Sequence, residues 1–333
     1  MAKFLSLLSV VVLIAFPVRA QEVTKIRWVL AHEPIKLFER AAKHFAQEVQ
    51  KKTNGKIQVE VLTLREYEKK YNKGKRLKHA DVVRYLQEGK IEISQTYTTH
   101  LGKINRDMYV LDLPFLFRDH DHAQRVLEGE IGDKLLAGLE KGNIRGLAFT
   151  YSGGYRVIPS DVAIEKVDQF KGMKIRTSSS PVAQDTFLML GAKPVPLELE
   201  DVGRATKQGK IIAAESTYPR FYEMRQNEFS KVLNDTRHSL FLTAIGINKK
   251  FWDKLRPEHK EAIREAAISS ARLERQESIE DAEITLKKCR EDGIRVVDLP
   301  DSEREKFKTL VQPIYDKYKD YFGDNLIAEI QKN

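Results

Sequence analysis

The segment from Phe170 to Glu215 restricts the fold more than any other part of the chain. It reads as strand, helix, strand, helix, strand. Lys174-Ile175-Arg176-Thr177 is a short strand after Gly172. Ser180 is a natural N-cap, and Pro181 falls at the first helical position, where its missing N–H costs nothing. Gly191 and Gly209 suit the left-handed exits of the two helices. Such alternation calls for parallel strands joined by crossover helices, hence an α/β fold. Ligands in such sheets gather beyond the carboxyl ends of the strands. Arg176 stands at one of these ends, just before a helix N-terminus that itself favours an anion. A guanidinium there is placed to grip a carboxylate through a bidentate pair. On position alone, a surface ion pair with a nearby acid is an equal reading.

The rest of the chain extends the pattern. Met1-Ala2-Lys3, an apolar run from Phe4 to Phe16, and Val18-Arg19-Ala20 read as a cleaved secretory signal peptide, residues 1–20, with the mature chain starting near Gln21. The 333 residues allow about two domains beyond it. The single cysteine, Cys289, excludes an intramolecular disulfide and is expected on a buried helix face. The net charge of +9, part of it from Lys3 and Arg19, attracts anionic solutes. The basic residues are interspersed with acids, and no zinc-finger spacing or aromatic–basic stripe accompanies them, so nucleic acid is not an expected partner. The basic run from Arg65 to His79 contains Glu66 and Glu68 and reads as a solvated loop rather than a docking patch.

Lys25–Leu30, Ile57–Leu62 and Ile91–Tyr97 read as strands, with a helix between the first two burying Phe38, Ala41, Ala42, Phe45 and Val49. Leu111–Phe117 is broken by Pro114 and is expected to bend. A helix is expected over His120–Leu139 and a strand over Ile144–Tyr151. The glycine pair Gly153-Gly154 then permits a crossing or hinge, and Arg156 follows it, facing the same cleft as Arg176 or simply solvent. From Pro257 to about Asp292 the sequence predicts one helix spanning roughly 50 Å, a strut across two domains. Lobe I is assigned 21–153 plus 242–281, and lobe II 154–241 plus 282–333.

No glycine-rich phosphate loop, nucleophile elbow or paired-histidine metal spacing is present, so neither an enzyme nor a cofactor or metal is expected. His120 and His122, flanking Asp121, read as polar residues of a capped helix start.

Several blocks in order resemble the solute-binding proteins of TRAP (tripartite ATP-independent periplasmic) transporters. They are Phe45-Ala46-Gln47-Glu48-Val49 with Asn54-Gly55-Lys56-Ile57, then Leu113-Pro114-Phe115, then Gly154-Tyr155-Arg156. The most specific is Phe170-Lys171-Gly172-Met173-Lys174-Ile175-Arg176, followed by Leu190-Gly191-Ala192 and Pro194-Val195-Pro196. The resemblance covers nearly all of the chain after residue 20. It implies a two-lobed periplasmic-binding-protein fold with a long helix bridging both lobes. It also implies capture of a small organic acid anion between the lobes and docking onto TRAP-type integral membrane permease subunits. A monomeric protein in the periplasm is the expectation. Arg176 would pair with the ligand carboxylate, supported by Arg156. Ser216, Tyr218 and Tyr97 would add polar or aromatic contacts, and Glu215 and Glu33 complete the candidate ligand-binding set. The chain departs from the family pattern at Leu199, Gly203 and Ser216, where an aromatic residue, a tyrosine and an asparagine usually stand; Tyr218 and Arg220 are placed to fill the altered rim. Two alternatives share the sequence: a ligand-presenting subunit for a membrane sensor, and an exported enzyme acting on a carboxylic acid.

Overall fold

The computed structural model describes residues 23–31, 36–323 and 325–333. The expected signal peptide and Glu33 lie outside the described residues. Among those described, no helix is long and apolar enough to cross a membrane.

Two sheets organise the chain. The first holds β1 (Thr24–Val29), β2 (Ile57–Leu62), β3 (Ile93–Tyr97), β4 (Ile144–Tyr155) and β10 (Leu240–Asn248), in the order β2-β1-β3-β10-β4. The second holds β5 (Ile158–Ser160), β6 (Lys174–Thr177), β7 (Lys193–Pro196), β8 (Ala213–Ala214), β9 (Val232–Asp235) and β11 (Arg295–Asp298), in the order β11-β9-β5-β8-β6-β7. The 170–215 segment supplies β6, β7 and β8, paired in parallel around the central β6, as crossover connections require. Its intervening helices are Pro181–Met189, capped by Ser180 Oγ accepting from Ala183 N–H, and Val202–Lys207. Gly191 and Gly209 take φ of +74° and +67°, the left-handed exits their sequence positions require.

The chain passes between the sheets twice through short connections, from β4 to β5 and from β9 to β10, the second turning at Arg237, where φ is +47°. The two crossings are bonded to each other: Arg156 N–H donates to Ser239 O at 2.9 Å, and Arg237 N–H to Arg156 O at 3.2 Å. The third connection is the helix Pro257–Glu291, in one piece as its periodicity predicts. It packs on β4 and on Lys36–Lys52, and it also reaches Tyr218–Glu223 and β11. Cys289 is fully buried near its end.

Some local expectations shift. The basic run is not a plain loop: Thr63 and Glu66 form a capping box that starts a helix over Leu64–Tyr71. The helix expected over His120–Leu139 breaks at Gly129 into His120–Glu128 and Glu130–Ala137. The final helix, Leu326–Lys332, lies against Glu130–Ala137, and His122 Nε2 sits 2.8 Å from Ile330 O.

Candidate functional site

The site forms where the two crossings meet the carboxyl ends of β3 and β6. Arg156 leaves the hinge between β4 and β5, Arg176 ends β6, and Arg220 comes from the short helix Tyr218–Glu223, which Pro219 opens. All three arginines are buried, at 1%, 3% and 1% exposure. Buried guanidiniums are rare because desolvating the charge is expensive unless an anion is close.

Each has a different environment. Arg176 Nε donates to Leu197 O at 2.8 Å and Nη1 to Glu215 O at 3.3 Å, so backbone carbonyls of its own lobe fix the orientation of the fork. Burial pushes its pKa down to about 10, against the pull of Glu215. Arg156 lies with its guanidinium carbon 3.9 Å from the centroid of the Phe241 ring, a cation–π contact. Its Nε is 3.6 Å from Glu215 Oε1 and its Nη2 3.6 Å from Asp112 Oδ1, too long for hydrogen bonds, and Nη1 and Nη2 have no hydrogen-bond partner among the described residues. Arg220 Nε donates to Ser152 Oγ at 2.9 Å and Nη2 to Tyr97 OH. Tyr97 stacks on Phe241, with centroids 4.9 Å apart and an interplanar angle of 20°.

The acids differ in state. Burial alone would raise the pKa of Glu215. Arg156, the His238 hydrogen bond (Nε2 to Oε1, 3.1 Å) and Arg176 outweigh it and hold the carboxyl at about 2. Ser178 N–H also donates to its Oε2 at 3.3 Å. Asp112 is pushed up by burial to about 6, with Arg156 pulling the other way. Its Oδ2 has no hydrogen-bond partner among the described residues. Burial pushes the pKa of His238 down, against the pull of Glu215, and its Nδ1 sits 2.8 Å from Thr236 Oγ1.

The structure therefore brings Arg176, Arg156, Glu215 and Tyr97 into one cluster. Ser216 adjoins it, its backbone bridged to Val157 and its Oγ buried without a partner among the described residues. Tyr218 does not join: its ring packs with Val157, Phe221, Leu233 and Cys289, beside Asp235. Glu215 is engaged by His238 and Ser178 and braces Arg156 from within. Sequence reasoning left out Asp112, Phe241, Ser152 and His238 and gave Arg220 only a place on the rim. Asp112 carries a legible signal, an acid inside the apolar run Val110–Phe117. Phe241 does not, because a buried strand phenylalanine is usually core.

The cluster draws side chains from both sheets: Tyr97, Asp112 and Phe241 stand on the side of the first, Arg176 and Glu215 on the second. A junction of this kind, with its buried donors and positive charge, is that of a two-lobed receptor for an anionic solute. The chain belongs to the family described as bacterial extracellular solute-binding protein, family 7, which it matches over residues 31–320. It is a solute-binding protein of the TRAP type and not an enzyme. It is 27% identical over 294 residues to the C4-dicarboxylate-binding periplasmic protein DctP of Rhodobacter capsulatus, covering 88% of this chain and 85% of that one. The sugar acid binding protein DctPAm of Advenella mimigardefordensis, solved with galactonate, superposes with a TM-score of 0.84 at 26% identity, over 93% of this chain and 97% of that chain. A TRAP periplasmic solute-binding protein of Polaromonas, bound to D-erythronate, gives 0.82 at 26% identity over 92% and 98%.

Proposed function

We propose that this protein captures a small organic acid anion between its lobes, in the periplasm, and delivers it to TRAP-type integral membrane permease subunits. One observation carries the reading: three buried arginines converge where the lobes meet, and Arg156 and Arg220 keep N–H groups that no described residue accepts. A carboxylate supplies both the negative charge and the acceptor lone pairs this arrangement lacks. The relatives named above bind carboxylic acids, in keeping with it. Arg176 is the anchor, its fork held by Leu197 O and Glu215 O. Arg156 sits in the hinge itself, so a ligand that engages both arginines ties occupancy to closure. Lobe I comprises 21–153 plus 242–281 and lobe II 154–241 plus 282–333. Residues 1–20 direct export and are removed, and the receptor acts as a monomer.

The test is calorimetry on the purified mature chain with a panel of C4-dicarboxylates and sugar acids. The ligand that binds wild type is then titrated into Arg176→Ala. Truncating one partner of a desolvated charge pair typically costs about 2–5 kcal/mol, so affinity should fall by about 30-fold or more. Unchanged affinity in Arg176→Ala removes Arg176 as the anchor.

A further inference from the structure

The turn that follows β7 reaches across from the second sheet to the first. It carries Glu198 and Glu200, and each meets a histidine from the opposite side. Nε2 of His100, in the short helix Thr98–Leu101 that follows β3, is 3.3 Å from Glu198 Oε2. Nδ1 of His79, just before the helix Asp81–Gln87, is 3.2 Å from Glu200 Oε2. A carboxylate only accepts, so the ring nitrogen donates in both bridges. The His100 bond holds the Glu198 carboxyl below the usual carboxylate range. At Glu200 burial pulls the carboxyl up, and the His79 bond and charge outweigh it, leaving it lowered. Leu199, between the two acids, is buried and belongs to the apolar cluster that contains Phe38 and Tyr97. The turn is thus joined to the first-sheet side by two polar bridges and one apolar side chain.

The same turn holds the anchor. Leu197 O accepts from Arg176 Nε at 2.8 Å, Leu197 N–H donates to Thr177 O at 3.3 Å, and the charge of Glu198 acts on Arg176. Residues 197–200 therefore grip Arg176 at one end and the first-sheet side of the cleft at the other. Parting the lobes has to break both histidine bridges and withdraw Leu199 from its cluster. Capture by an open form meets none of these contacts until the lobes come together. We infer that His79 and His100 are positioning residues that clasp the 197–200 turn across the closed cleft and set how fast a bound acid is released. The inference rests on the organic-acid reading above and adds control of the ligand's dwell time to it. Neither histidine has to touch the ligand. The side chains of both glutamates are 37% exposed, so water screens the bridges, and each is worth the few-fold of a partly exposed ion pair rather than the larger loss of a buried one.

The experiment measures association and release separately by stopped-flow fluorescence. The probes are succinate, malate, galactonate and galacturonate, and the one that binds wild type most tightly is carried forward. The variants are His79→Ala, Glu200→Ala, their double, His100→Ala and His79→Ala/His100→Ala, with thermal melts to confirm that each folds. Each single variant should release the probe about two- to five-fold faster than wild type, with the association rate changed by less than about two-fold. The His79→Ala/Glu200→Ala double should release no faster than either single, because one bridge is lost in all three. The double-histidine variant should release faster than either histidine single, because it loses both bridges. His79→Asn and His100→Gln, which place an amide N–H near the lost ring donor, should recover part of the wild-type rate. A release rate unchanged in a folded His79→Ala/His100→Ala overturns the inference. So does a loss that falls on association instead, or effects of His79→Ala and Glu200→Ala that simply add. Those results leave the organic-acid reading standing. If none of the four acids binds wild type, that reading falls and takes the clasp's role in release with it.

Discussion

Glu215 is surrounded by positive charge and by donors, and its folded-state pKa of about 2 lies well below the ordinary 4.5. The folded protein therefore releases a proton that the unfolded chain still holds between those values. The stability this contributes, about 3 kcal/mol, is fully present above pH 4.5 and is lost as pH falls towards 2. Glu215→Gln removes the charge that braces Arg156 and should destabilise by about 3–5 kcal/mol at pH 7, read as a lower urea midpoint with unchanged slope. An unaltered midpoint would mean the carboxylate is not a structural counter-ion. Asp112 has the opposite sign. Burial raises it to about 6, so an incoming anion raises it further and binding near pH 7 should be accompanied by net proton uptake. Calorimetry in buffers of different ionisation enthalpy measures that uptake directly; a binding enthalpy independent of buffer would contradict it.

The long helix is fastened to the free edge of β4, the strand that leads into the hinge. Arg275 Nη1 donates to Phe149 O at 2.6 Å, Glu274 Oε2 accepts from Tyr151 N–H at 2.7 Å, and Ser278 Oγ accepts from Gly153 N–H at 3.3 Å. Helix side chains thus satisfy ladder groups that no neighbouring strand reaches, at the place where pairing with β10 becomes irregular. Burial pushes Glu274 from 4.5 up to about 8. The folded state keeps a proton that the unfolded chain gives up, so this residue's contribution falls as pH rises from about 4.5 to about 8. Glu274→Gln keeps the acceptor for Tyr151 and offers donors to Gln95, whose Oε1 is buried without a partner among the described residues. The variant should match wild type near pH 5 and melt at a higher temperature above pH 8, in thermal scans across that range. Within the same strand end the two glycines should respond differently. A Cβ at Gly153, where φ is +90°, would come 2.4 Å from Thr217 Oγ1, whereas one at Gly154, with φ +80°, meets nothing within 4 Å. Gly153→Ala should cost about 2 kcal/mol or more and Gly154→Ala about 1 kcal/mol, measured by chemical denaturation.

The molecule as a whole presents its arginine cluster in a closed form. Side chains exposed by only 1–3% exchange no ligand with solvent, so the lobes must separate for a solute to enter. The short crossings at Arg156 and at 236–239 can absorb such a motion, while the long helix keeps the lobes in register. X-ray scattering should show the radius of gyration falling when ligand is added to the purified protein, and an unchanged value at saturation would argue against closure. The melting temperature should rise with ligand concentration. At 100 times the dissociation constant the gain is about 2.7 kcal/mol at 25 °C.

Much of this architecture was legible in the chain. The strand–helix alternation of 170–215, its proline and serine starts and its glycine exits are local signals, and local steric rules decide them. The unbroken helix from Pro257 is another, since no proline or glycine interrupts it before Gly293. Arg176 could be placed because a residue at the carboxyl end of a parallel strand has a position that topology predicts. What the other residues face could not be read this way. Tyr218 and Arg220 are two residues apart on one short helix, yet one packs into a core beside Asp235 and the other into the arginine cluster. Asp112, Phe241 and Ser152 come from three distant stretches, and only the folded sheets bring them to one place. By itself the sequence determined most of the elements, their order and the position of Arg176 on its strand, because backbone conformation and strand polarity follow from neighbours along the chain. Tertiary structure alone decided which charges share a buried volume and which acid faces which arginine, because desolvation and Coulomb energy depend on distances through space that no spacing along the chain encodes.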